Sequence, residues 1–178
     1  DCGVHYLDVM CQITESKPLS VSAIGVRLSD DIPNDNYNYG QLQIRFEDGS
    51  VGWYEAGWGP MISETAFFVK DVIGPKGSVS IVSDDDVFKK DSDNLENHTK
   101  NNCLKIHSSE LDKDQKFVSP NRKVVYDEDP SHQDLCDYEQ EYFYKSIIED
   151  TNLKSHMEDA YKSLQIALAC DEAVKKST

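Results

Sequence analysis

The sequence predicts an α+β domain on an antiparallel sheet, and three observations carry that prediction. The chain reads as one helix, then several strands, then two helices, instead of the strand-helix alternation that a parallel sheet requires. Its early strands follow one another through turn-length links, which only antiparallel neighbours allow. Its 178 residues suit a single domain, long enough to bury roughly 70% of the unfolded surface without disulfide staples.

Each element has its own signal. Val4, Leu7 and Cys11 recur at helical spacing, so a helix is expected from about Asp1 to Ile13, ending near Ser16-Lys17-Pro18 because proline disfavours helix at the residue before it. Val21 to Val26 is apolar on most positions and reads as a strand buried on much of both faces. Asp30 to Tyr39 is a polar loop. Gln41 to Phe46 alternates strictly, placing Leu42, Ile44 and Phe46 inward, and the Asp48-Gly49 turn returns the chain as Val51 to Ala56. A second hairpin is expected from Thr65 to Ile73 and Ser78 to Val82 around Gly74-Pro75-Lys76-Gly77. The Asp- and Asn-rich run from Ser83 to Lys100 reads as a solvated excursion. Cys103 to His107 and Lys116 to Val118 suit short strands, and Ser119 to Pro130 reads as a loop. Gln133 to Glu149 is helical, with Leu135, Tyr138, Tyr142, Phe143, Ile147 and Ile148 as its packing residues. Ser155 and Glu158 form a capping-box pattern for a last helix packing through Ala160, Leu164, Ala167, Leu168 and Val174.

Composition narrows the function. Eighteen basic against 33 acidic residues leave a net charge of −15, which opposes a phosphate backbone and excludes nucleic acid as the expected partner. No apolar run approaches the roughly 18 residues of a membrane span. The five cysteines (Cys2, Cys11, Cys103, Cys136, Cys170) are odd in number and lack C-x-x-C spacing, so reduced thiols in a cytoplasmic compartment are expected.

Chemistry concentrates at two places. On a helix, Asp1, His5, Asp8 and Gln12 share one polar stripe. A carboxylate one turn before an imidazole can orient it and raise its basicity, so Asp1 and His5 are a candidate acid/base pair. A structural histidine, or a metal site recruiting Asp8, would use the same stripe, although no second histidine lies nearby. Further on, Trp53, Glu55 and Trp58 sit among glycines, where rings could stack on a sugar or polyol while the carboxylate accepts hydroxyl hydrogen bonds. A packed sheet surface or a subunit interface would show the same residues. Neither a G-x-G-x-x-G or Walker phosphate loop nor a G-x-S-x-G elbow is present.

Three segments together resemble one family. Asp1-Cys2-Gly3-Val4-His5-Tyr6-Leu7-Asp8 resembles the D-x-G-x-H-x-x-D segment that opens the C-terminal domain of the Gfo/Idh/MocA oxidoreductases. Phe68 to Val79 resembles the family's strand, I-G-x-x-G turn and strand, and Glu158 to Ala169 its terminal E-D-x-x-x-S-L-x-I helix. The resemblance implies an open, predominantly antiparallel sheet with helices packed on one face. It implies that residues 1–178 are the substrate-binding and oligomerisation domain of an NAD- or NADP-dependent dehydrogenase, with self-association through the sheet. The substrate would be a small sugar, inositol or other polyol, His5 the general acid/base and Asp1 its assistant. The family's dinucleotide-binding domain and its catalytic lysine are absent from this chain, so alone it is expected to bind no dinucleotide tightly and to be inactive. A catalytically idle binding or scaffold module is the main rival, and a metal-dependent hydrolase using Asp1, His5 and Asp8 a weaker one.

Overall fold

The computed structural model describes residues 3–57, 59, 70–82, 103–126, 128 and 130–177. Contacts divide the chain into two units, residues 1–62 with 148–178 and residues 63–147, each with its own antiparallel sheet.

In the first unit, helix α1 (Gly3–Thr14) buries Leu7 and Cys11, one turn apart. It stops at Glu15, which takes a left-handed φ of 51° while its N–H donates to the Cys11 carbonyl at 3.0 Å, just ahead of the proline that blocks continuation. Strands β1 (Pro18–Val26), β2 (Tyr39–Phe46) and β3 (Val51–Gly57) form a three-stranded meander in that order. The β2–β3 turn falls on Asp48-Gly49 as the sequence predicts. Gly49 adopts φ 87°, and Asp48 Oδ1 accepts from the Ser50 N–H and hydroxyl at 3.0 and 2.7 Å. Helix α3 (Lys154–Ser177) packs on β1 and on α1.

The strand pleat separates two faces. Ile44 pairs with Gly52 and with Val21, and Leu42 with Tyr54 and with Ala23, so these residues share the side on which α1 and α3 lie. Leu7, Cys11, Ile44, Phe46, Ile166 and Cys170 form the core there. The expected inward set of β2 is borne out: Ile44 and Phe46 are fully buried. Strand β1 departs from expectation. Val21, Ala23 and Gly25 face the helices, but Ile24 and Val26 lie on the opposite face and are exposed, because no described element covers that side.

Helix α3 is also rolled from its predicted orientation. Ser163, Ile166, Cys170 and Val174 are buried, whereas Leu164 and Leu168 are half exposed along with Met157 and Tyr161. The helix carries two apolar stripes roughly a third of a turn apart, and the sequence reading merged them. Its start differs as well. Asn152 Oδ1 accepts from the Lys154 N–H at 3.0 Å, so Asn152, not Ser155, supplies the side chain that caps the first turn.

The second unit pairs β4 (Lys70–Gly74), β5 (Gly77–Ile81), β6 (Cys103–Ser108) and β7 (Arg122–Val125) in sequence order. The Gly74 to Gly77 turn is as predicted, and Gly77 needs to be glycine: φ is 141° and an added Cβ would stand 1.9 Å from the His107 carbonyl oxygen. The first part of the predicted β4 and the Ser83 to Lys100 excursion lie outside the described residues. Strand β7 was expected as loop, and Phe117 contributes only an isolated bridge to Leu111. Helix α2 (His132–Ile148) begins at a capping box in which Ser131 and Asp134 exchange hydrogen bonds of 2.6 to 3.2 Å. Its predicted packing residues, Leu135, Tyr138, Tyr142, Phe143, Ile147 and Ile148, are all exposed. Ser146 is the buried residue of this helix, and the six lie around more than half its circumference, so they do not make one packing stripe.

Candidate active site

Three contacts lay α1 along β3. Gly3 lies against the Tyr54 ring, where an added Cβ would stand 3.4 Å from Tyr54 Cε1, at ordinary contact distance. Tyr6 stacks on Tyr54 with centroids 5.2 Å apart and planes at 27°. One turn on, Met10 fills the place that a side chain on Gly52 would take, its Sδ 2.7 Å from the hypothetical Cβ. His5 falls between Gly3 and Tyr6 and is exposed, so its ring is available to a ligand while its backbone is held.

A second set of contacts ties α1 to α3, which runs antiparallel to it. The buried Ser163 hydroxyl lies 3.2 Å from Asp8 Oδ1 and 3.0 Å from the Asp159 carbonyl oxygen, sharing its proton between them. One turn along, the Asp159 carboxylate takes hydrogen bonds from Lys162 Nζ at 3.1 Å and from the Gln12 side chain. Those two donors, Lys162 first, hold the Asp159 carboxyl below its usual range. Beside the seam, burial pushes the Cys11 thiol up, Lys162 opposes that rise and Asp8 and Asp159 add to it. Cys11 is therefore packing and not a nucleophile.

Of the residues singled out from the sequence, Asp1 and Trp58 lie outside the described residues. His5 and Asp8 sit one turn apart on α1, and Asp8 is engaged with Ser163. Trp53 and Glu55 are not brought to His5. They alternate with Gly52 and Tyr54, which face α1, so they project from the uncovered side of the sheet. There Trp53 is 59% exposed, and the Tyr39 hydroxyl donates to Glu55 Oε1 at 2.6 Å, which raises the Tyr39 pKa. The two places singled out in the sequence therefore stay apart within this sheet, since Trp53 and Glu55 share the face opposite the one that Gly52 and Tyr54 turn to α1. Among the described residues no three His, Cys, Asp or Glu side chains are grouped to hold a metal ion. Sequence reading missed Ser163 and Tyr54 as partners of the His5 helix. Ser163 had a visible signal in the terminal helix pattern, whereas Tyr54 had none beyond its place between Trp53 and Glu55.

The whole chain, residues 1–178, matches the model of the oxidoreductase family's C-terminal alpha/beta domain, the Gfo/Idh/MocA type. The chain belongs to the Gfo/Idh/MocA oxidoreductase family. Solved structures share the fold. An aldose-aldose oxidoreductase from Caulobacter crescentus, complexed with glycerol, aligns over 99% of this chain and 44% of its own, at 16% identity and a TM-score of 0.67. An oxidoreductase from Agrobacterium radiobacter in complex with NAD+, L-tartaric acid and magnesium aligns over 100% of this chain and 47% of its own, at 12% identity and TM-score 0.63. A UDP-N-acetylglucosamine 3-dehydrogenase from Acidithiobacillus ferrooxidans aligns over 97% and 46%, at 16% identity and TM-score 0.58. The chain therefore spans a little under half the length of these proteins. No curated protein sequence gives a significant match.

Of the nicotinamide dinucleotide that the family implies, the sequence carries no glycine-rich G-x-G-x-x-G phosphate turn. Among the described residues no helix is long and apolar enough to cross a membrane.

Proposed function

We propose that the chain is the substrate-binding and oligomerisation domain of an NAD(P)-dependent oxidoreductase acting on a hydroxyl of a sugar, inositol or related polyol. Hydride chemistry belongs to a nicotinamide held by residues outside this chain. The part assigned to this chain is the proton. His5 takes it from the substrate hydroxyl during oxidation and returns it during reduction, with Asp1 assisting. An imidazole suits the task because its charge changes near working pH.

The observation that carries this reading is an exposed histidine on a helix fixed on both flanks, at the position where the D-x-G-x-H-x-x-D pattern puts the family's acid/base. The sugar and polyol class is supported by the relatives, whose names include an aldose oxidoreductase complexed with glycerol and a dehydrogenase of a nucleotide sugar. Reduced cytoplasmic surroundings agree with four free cysteines among the described residues. The decisive experiment uses the full-length protein with NAD(P) and a panel of polyols. His5→Ala is expected to lower turnover by about 10² to 10⁴, the usual scale for an acid/base group. Undiminished turnover overturns the assignment.

A second reading has an observation of its own. On the uncovered sheet face Ile24 and Val26 of β1 and Val51 and Trp53 of β3 are exposed apolar side chains, on either side of Gln41, Gln43 and Arg45 of β2. Under the proposed function that face joins a second copy. In a catalytically idle scaffold it would be the whole function, and the same panel would then give self-association without turnover.

A further inference from the structure

We propose that Asp8 and Ser163 are positioning residues, a polar latch between α1 and α3 that sets the roll and the axial place of the helix bearing His5. The proposal rests on the acid/base reading of His5. Its basis is a bond that stability does not require. A buried serine on a helix satisfies its hydroxyl by turning back to the carbonyl four residues earlier, as Ser146 does with Tyr142 at 2.8 Å. Ser163, 2% exposed, makes that bond to Asp159 at 3.0 Å and also reaches across to Asp8 at 3.2 Å. Placing a carboxylate in a half-buried seam carries a desolvation cost that an apolar residue beside Leu7 and Ile166 would avoid. What the carboxylate adds is direction. Apolar packing tolerates small rolls and slips of one helix on another, and a hydrogen bond between two fixed side chains narrows that range.

The latch has a defined lever. Asp8 is three residues after His5 and shares its face, so rotation or sliding of α1 at Asp8 carries the imidazole with it. Gln12 with Asp159 is a second bond one turn further along the same seam, and Tyr6 with Tyr54 fixes the other flank. The seam joins two of the three segments through which the sequence resembles its family, the opening D-x-G-x-H-x-x-D and the closing E-D-x-x-x-S-L-x-I. The charged and titratable groups around it are Asp8 and Cys11 on α1 and His156, Asp159 and Lys162 on α3.

The test is a double-mutant cycle in the full-length protein, read by kcat, by KM for dinucleotide and by amide hydrogen exchange of α1. Ser163→Ala and Asp8→Ala are each expected to lower kcat by about 10- to 100-fold with KM for dinucleotide within about twofold, the scale of a misplaced catalytic group. The double variant should be no worse than the more damaging single one. Asp8→Asn, whose carboxamide oxygen still accepts from Ser163, should recover most of the loss seen in Asp8→Ala. If Asp8→Asn is as damaging as Asp8→Ala while Ser163→Ala is silent, Asp8 acts on the substrate directly and the latch is overturned. Should Ser163→Ala fail to fold, the Asp8 pair decides alone. If His5→Ala leaves turnover unchanged, the acid/base reading falls, and exchange still judges the latch. Faster exchange confined to Gly3–Thr14 in the single variants supports it, and unchanged exchange overturns it.

Discussion

Cys170 is 6% exposed, and burial pushes its thiol up to about 11, so almost none of it is thiolate at neutral pH. Cys11 and Cys103 are buried too, whereas Cys136 is partly exposed on α2, 3.7 Å from His132 Nε2. Alkylation at neutral pH should therefore modify Cys136 well before Cys11, Cys103 and Cys170, which peptide mapping after a short exposure to reagent would check. Labelling of Cys170 ahead of Cys136 would contradict the burial. The same residue scale explains why His5 was the clearest candidate in the sequence. An imidazole beside carboxylates is recognisable from residue type and spacing alone. The engagement of Asp8, by contrast, depends on a neighbour 155 residues away, Ser163.

At the scale of elements, α1 and α3 meet through both apolar packing and the polar seam, and the seam carries a pH dependence. Asp159 has its carboxyl depressed by Lys162 and Gln12, so its contribution to stability is present above the ordinary carboxylate pKa and is lost as pH falls through the depressed value. Asp159→Asn should lower the melting temperature at neutral pH, with the gap to wild type closing as the pH falls below about 4. Thermal unfolding followed across that range would check it. A gap that widens in acid would mean the aspartate is not held in its charged form. Strand and turn periodicity was readable here, since β2 and the Asp48-Gly49 turn follow from alternation and from glycine's freedom at positive φ. Helix facing was not. Both apolar stripes of α3 have helical spacing, and only the position of β1 and α1 selects Ser163, Ile166, Cys170 and Val174 over Leu164 and Leu168.

At the scale of the whole molecule, the proposed self-association through the uncovered sheet face has a direct test. If Ile24, Val51 and Trp53 meet a partner there, Trp53→Lys should dissociate the full-length protein towards monomers, measured by light scattering, while leaving the Tyr6–Tyr54 contact on the other face intact. Unchanged mass would remove that face as the interface. The sequence was sufficient for the α+β class, the antiparallel links, the first hairpin and the family. Those depend on residue order, local periodicity and turn chemistry, which act over a few positions. It also named His5 by the company the residue keeps. Tertiary structure was needed to separate Trp53 and Glu55 from His5, to roll α3 and to join Asp8 to Ser163. Each of these is a question of which face meets which neighbour, and a one-residue step along a strand or a third of a turn on a helix reverses the answer without changing the pattern.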